Sequence, residues 1–73
     1  MQGKIEVEEM VSKERFIQFL RGLADSMEES TDFQTTIQGR QVSIPPQGEM
    51  KVDFESKEKG GELDLELKWR TAA

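Results

Sequence analysis

A chain of 73 residues makes one domain, and folding at this length hides only roughly 60% of the surface that the unfolded chain exposes, so modest stability is expected. The absence of Cys removes disulfides, thiolate nucleophiles and Cys-based zinc sites, and the absence of His removes imidazole bases, histidine metal ligands and the Ser-His and Cys-His nucleophile pairs. Fifteen acids against ten bases leave a net charge of −5, which repels phosphate backbones and anionic lipid, so neither nucleic acid nor membrane is expected as a partner.

Lys4-Ile5-Glu6-Val7-Glu8 alternates, with β-branched residues at its apolar positions, and predicts a short amphipathic strand. Its pairing position, at an edge or in the middle of a sheet, stays open. Ser12 is a good helix N-cap, Glu14 sits in the first turn, where the positive end of the dipole favours it, and Val11 is placed to staple against Phe16. From Lys13 to about Glu29 the apolar residues Phe16, Phe19, Leu20, Leu23 and Met27 recur at three and four, with Ile17 and Ala24 widening the stripe, which predicts the chain's one helix. Glu28 and Glu29 oppose the negative end of that helix.

Phe33, Thr35 and Ile37, then Val42 and Ile44, predict a hairpin. A type II′ turn at Gly39-Arg40 sets Ile37 opposite Val42 and Thr35 opposite Ile44. Pro45-Pro46-Gln47-Gly48 ends the second strand, since neither proline can donate to a ladder. Met50, Val52 and Phe54 alternate with Lys51, Asp53 and Glu55, and Glu62 to Arg70 alternates without exception: Leu63, Leu65, Leu67 and Trp69 face one way and the charges the other. A Gly60-Gly61 turn pairs these strands with Lys59 against Glu62, Lys57 against Asp64 and Asp53 against Lys68, three attractive pairs beside the repulsive Glu55–Glu66 and Lys51–Arg70, and places Phe54 opposite Leu67 and Val52 opposite Trp69. Thr71-Ala72-Ala73 is expected to fray.

The expected fold is therefore a single α+β domain over residues 1–73, two-layer, with one amphipathic helix packed on a largely antiparallel sheet of about five strands in the order β-α-β-β-β-β. The expected core is Ile5, Val7, Phe16, Phe19, Leu20, Leu23, Met27, Ile37, Val42, Ile44, Val52, Phe54, Leu63, Leu65, Leu67 and Trp69. No stretch of about 18 apolar residues exists to span a bilayer, and Met1 to Glu6 lacks the charged-then-apolar pattern of a signal peptide, so a cytoplasmic protein is expected.

Helix and last strand together resemble the amphi-Trp domain, a small prokaryotic domain of unknown function named for a C-terminal amphipathic strand ending in Trp. The resemblance rests on Gly60-Gly61-Glu62-Leu63-Asp64-Leu65-Glu66-Leu67-Lys68-Trp69, on Phe19-Leu20-Arg21-Gly22-Leu23-Ala24-Asp25-Ser26-Met27 and, less specifically, on Val42-Ser43-Ile44-Pro45. It implies a bacterial or archaeal source and transfers no catalytic residue.

Carboxylates are the chemistry that remains. Asp25, Glu28, Glu29 and Asp32 gather near the helix end, but their spacing fits no Ca²⁺ loop, and a solvated helix end is the simpler reading. Glu55, Asp64 and Glu66 share an exposed sheet face, which offers no cleft to shift a carboxylate toward acid–base work. Trp69 continues a core row, Gly22 and Gly39 belong to no phosphate-cradling motif, and the outward sheet face lacks the aromatics of an RNA-stacking surface. No catalytic, metal or cofactor-binding residue is expected, and no enzyme. Two function classes survive: a non-catalytic protein-interaction or structural module, including self-association as a homodimer, and a small-ligand or anion-binding domain with Arg15, Arg21 or Arg40 as its cations.

Overall fold

A computed structural model describes residues 3–71; Ala72 and Ala73, part of the expected frayed end, lie outside the described residues. Helix α1 runs from Lys13 to Glu29, followed by strands β1 (Phe33–Ile37), β2 (Arg40–Ile44), β3 (Glu49–Lys57) and β4 (Gly60–Lys68). The chain is α+β, as its periodicities predict. Among the described residues no helix is long and apolar enough to cross a membrane.

Both helix ends are closed by local chemistry. The Ser12 hydroxyl accepts the Arg15 backbone N–H at 3.1 Å, satisfying one of the donors that a helix start leaves free. At the other end Ser30 turns left-handed (φ 58°), its N–H donating to the Met27 carbonyl and that of Thr31 to the Ser26 carbonyl, a Schellman closure. The helix lays Phe19, Leu20, Leu23 and Met27, all half-buried, toward the first hairpin. There Phe19 meets Phe33 edge to face, ring centroids 5.3 Å apart, and Gly22 leaves the room that the Phe33 ring occupies.

The strands do not form the single five-stranded sheet expected. β1 pairs with β2 and β3 with β4, each antiparallel, in two separate two-stranded sheets. No Cα atom of β3 or β4 comes within 8 Å of α1, β1 or β2. The expected first strand over Lys4–Glu8 is also absent: this segment is irregular and Ile5 is exposed. It is anchored beyond its end, where the Glu9 carboxylate accepts the backbone N–H of Gln38 at 2.8 Å, a tether at the tip of the β1–β2 turn instead of a ladder along its edge.

Both turns fall earlier than expected. The first is Gln38-Gly39, both with positive φ (53° and 76°), a type I′ turn whose twist suits the flanking strands. It sets Phe33 opposite Ile44, Thr35 opposite Val42 and Ile37 opposite Arg40, exchanging the expected Ile37–Val42 pair for Phe33–Ile44. The second is Glu58-Lys59, with Gly60 and Gly61 inside β4. It pairs Phe54 with Leu63, Val52 with Leu65 and Met50 with Leu67, three apolar pairs where the Gly60-Gly61 turn offers two. It carries two like-charge pairs, Asp53–Asp64 and Glu55–Glu62, as many as the expected register, and one attractive pair fewer; exposed charge pairs carry at most about 1 kcal/mol, so the extra apolar contact decides.

No described residue is fully buried, so the expected core is only partly realised. Val7, Phe19, Leu20, Leu23, Met27, Ile37, Val42, Ile44 and Leu67 are half-buried, joined by Phe33, which the expected core omits. Ile5, Phe16, Val52, Phe54, Leu63, Leu65 and Trp69 are exposed, contrary to expectation. The reason is width: a helix about 10 Å across covers roughly two strands spaced about 4.8 Å apart, and β1–β2 occupies that cover.

Candidate interaction surface

Strict alternation along β3 and β4, combined with the observed register, stacks three apolar cross-strand pairs on one face of the second hairpin, and Trp69 follows directly after β4 on the same side. Every member but Leu67 is open to solvent: Met50 is 57% exposed, Val52 74%, Phe54 72%, Leu63 62%, Leu65 56% and Trp69 45%. With large apolar side chains offering up to about 150–250 Å² each, these six leave on the order of 700 Å² of contiguous apolar surface. That exceeds the roughly 300–600 Å² typical of the largest patch on a monomer. The opposite face is charged, with Lys51 and Glu66 paired at 3.6 Å and Glu49 set across from Lys68.

Gly48 shapes the near end of this hairpin. Its φ of +150° and its closeness to the Lys68 backbone carbonyl exclude a side chain there, so the chain enters β3 tightly against the end of β4. An open hollow of about 630 Å³ beside it is bounded by Gln47, Gly48, Glu49, Lys68, Trp69 and Arg70. A smaller hollow of about 210 Å³ lies between the N-terminal segment and the helix, where Val11 and Phe16 meet Arg15, Phe19 and Ile37.

The residues singled out from sequence do not converge. Among the described residues no group of three or more acids is arranged to hold a metal ion, and Asp32 accepts the Ser43 hydroxyl at 3.4 Å. Asp25, Glu28 and Glu29 are exposed at the end of α1. Glu55, Asp64 and Glu66 are exposed and face Glu62, Asp53 and Lys51 respectively, so they form no acid pair with one another across the ladder. Arg15 is engaged structurally: its guanidinium donates to the Thr36 carbonyl at 2.6 Å and stands 5.7 Å from the Phe19 ring centroid. Arg21 and Arg40 are exposed, on α1 and at the start of β2.

Sequence reasoning gave Glu9 no role, and no motif marks it; its carboxylate accepts the N–H of Gln38, a turn residue in the left-handed conformation. The row from Met50 to Trp69 was legible as apolar but not as uncovered. The signal lay in arithmetic, one 17-residue helix against four strands.

No curated protein and no solved structure matches the chain. The model of the Amphi-Trp domain matches residues 1–73, and with an amphipathic helix and a C-terminal amphipathic strand that runs into Trp69, the chain belongs to the Amphi-Trp domain family.

Proposed function

We propose that this domain is a non-catalytic protein-interaction module whose docking surface is the apolar face of β3–β4. The observation that carries the reading is the combination of size and exposure in that face, where Val52, Phe54, Leu63, Leu65 and Trp69 stand open with no covering element among the described residues. An isolated two-stranded hairpin is marginal in water, so this element gains most from being covered. The chemistry of the face also favours it, because a polypeptide can bury it without stranding a charge.

The alternative, a small-ligand or anion-binding domain, has weaker support. Arg15 is already committed to Thr36 and Phe19, the hollow beside it is smaller than the roughly 300–1,000 Å³ of ordinary ligand sites, and the hollow of about 630 Å³ beside Lys68 and Arg70 is of ligand size but open to solvent. The two readings separate in one experiment. The Val52→Asp/Leu65→Asp variant is expected to lose polypeptide binding, whether to a protein from the native host or to the chain itself, while keeping the helical circular-dichroism signal of α1. A metabolite or inorganic anion that raises the melting temperature of wild type and double variant alike would displace this reading in favour of the ligand-binding one.

A further inference from the structure

We infer that the cover for this face is the same face of a second copy of the chain, so that two β3–β4 hairpins stack as a small sandwich at the centre of a symmetric homodimer. The inference rests on the docking-surface reading above and names its partner.

Area points to a large missing contact. The chain exposes 6902 Å², whereas a compact monomer of its mass is expected to expose about 4,600 Å², an excess of about 2,300 Å². Two faces of on the order of 700 Å² each would bury about 1,400 Å² together, within the roughly 1,200–2,000 Å² of stable, specific interfaces.

Cover from within the chain is already spent. The one helix rests on β1–β2 through Phe19, Gly22 and Phe33, and the described residues contain no second helix.

The face is suited to itself. It carries no charge, so two copies of net charge −5 can join there while every carboxylate of the hairpin's other side remains in water. A two-fold axis lying between the sheets, across the strands at the Val52–Leu65 pair, sets Phe54 and Leu63 of one copy over Met50 and Leu67 of the other. Large residues at the hairpin tip then meet flexible ones at its base, and the Met50 thioether lies against the Phe54 ring, a favourable contact. Trp69 closes each end of the sandwich.

The test is the solution mass of the full chain together with its Trp69 emission. The expected result is a species of twice 8.4 kDa with blue-shifted emission. Val52→Asp/Leu65→Asp is expected to weaken association at least about 100-fold, because each dimer would bury unpaired carboxylates. Mixing that variant with Val52→Lys/Leu65→Lys is expected to restore a heterodimer.

A wild-type monomer with hydrated Trp69 emission overturns the homodimer and leaves the interaction-module reading intact. A wild-type monomer with shielded emission overturns both, since the chain then covers its own face. A dimer indifferent to the aspartates overturns the location. Should the aspartate variant lose its helical signal, dilution of the wild type decides: emission that shifts red as the mass halves supports the inference, and emission that stays constant overturns it.

Discussion

Gly22 is the position where helix propensity and packing pull in opposite directions. Replacing a mid-helix glycine by alanine stabilises by about 1 kcal/mol when nothing else changes. Here the added Cβ would stand 2.7 Å from Cε1 of Phe33, whose ring is held against Phe19. Gly22→Ala is therefore expected to lower stability, by about 1 kcal/mol, and to raise it by a similar amount in a Phe33→Ala background. Urea denaturation of the four members of that cycle checks the sign change. Gln38 presents the converse case. As a non-glycine residue at φ 53° it carries left-handed strain of about 1–2 kcal/mol, partly offset by its N–H bond to Glu9. Asn is the residue that type I′ turns favour before Gly, so Gln38→Asn is expected to stabilise by several tenths of a kcal/mol, read as a higher melting temperature.

At the scale of elements, the like-charge pairs Asp53–Asp64 and Glu55–Glu62 are where the second hairpin is weakest. Asp64→Lys converts one of them to an attractive pair and is expected to add about 0.5–1 kcal/mol, with the gain shrinking in high salt. Thermal melts at low and high ionic strength test this. The alternation itself was fully legible, because period two in β3 and β4 needs no tertiary context. Helix α1 was legible to its boundaries for a similar reason, as Ser12, the apolar stripe and the polar Ser30-Thr31-Asp32 segment carry local signals. The turns were not. Charge pairs on a wet face are too weak to set a register, and Gly61 is needed inside β4 instead of in the turn, since a Cβ there would stand 2.9 Å from the Glu55 carbonyl oxygen. The N-terminal strand misled because alternation in Lys4–Glu8 records two faces without supplying an edge to pair with.

The whole molecule is larger than its length requires. Its radius of gyration is 14.2 Å, with extents of 45 × 28 × 25 Å, against about 11 Å for a compact domain of this size. The two halves consequently differ in what holds them: α1 with β1–β2 shares a half-buried cluster, and β3–β4 has its own ladder alone. In the Val52→Asp/Leu65→Asp variant, amide hydrogen exchange is expected to be fast throughout β3–β4 and slower in α1, a split that native-state exchange measures directly. Uniform protection across all five elements would contradict that division. The uncovered face was beyond sequence reasoning at this scale, since the same row of leucines is compatible with a cover from inside the chain or outside it.

The bridge between the halves, Pro45-Pro46-Gln47-Gly48, sets how often one meets the other. A short link stiffened by two prolines restricts the orientations in which the hairpin can turn back toward its own helix. Substituting a dozen flexible Gly and Ser residues for those four is expected to raise the hairpin's local concentration there to the millimolar range and favour a chain that folds back on itself, seen as a smaller hydrodynamic radius. The tendency of this chain to associate would then be set at its joint as much as at its apolar face.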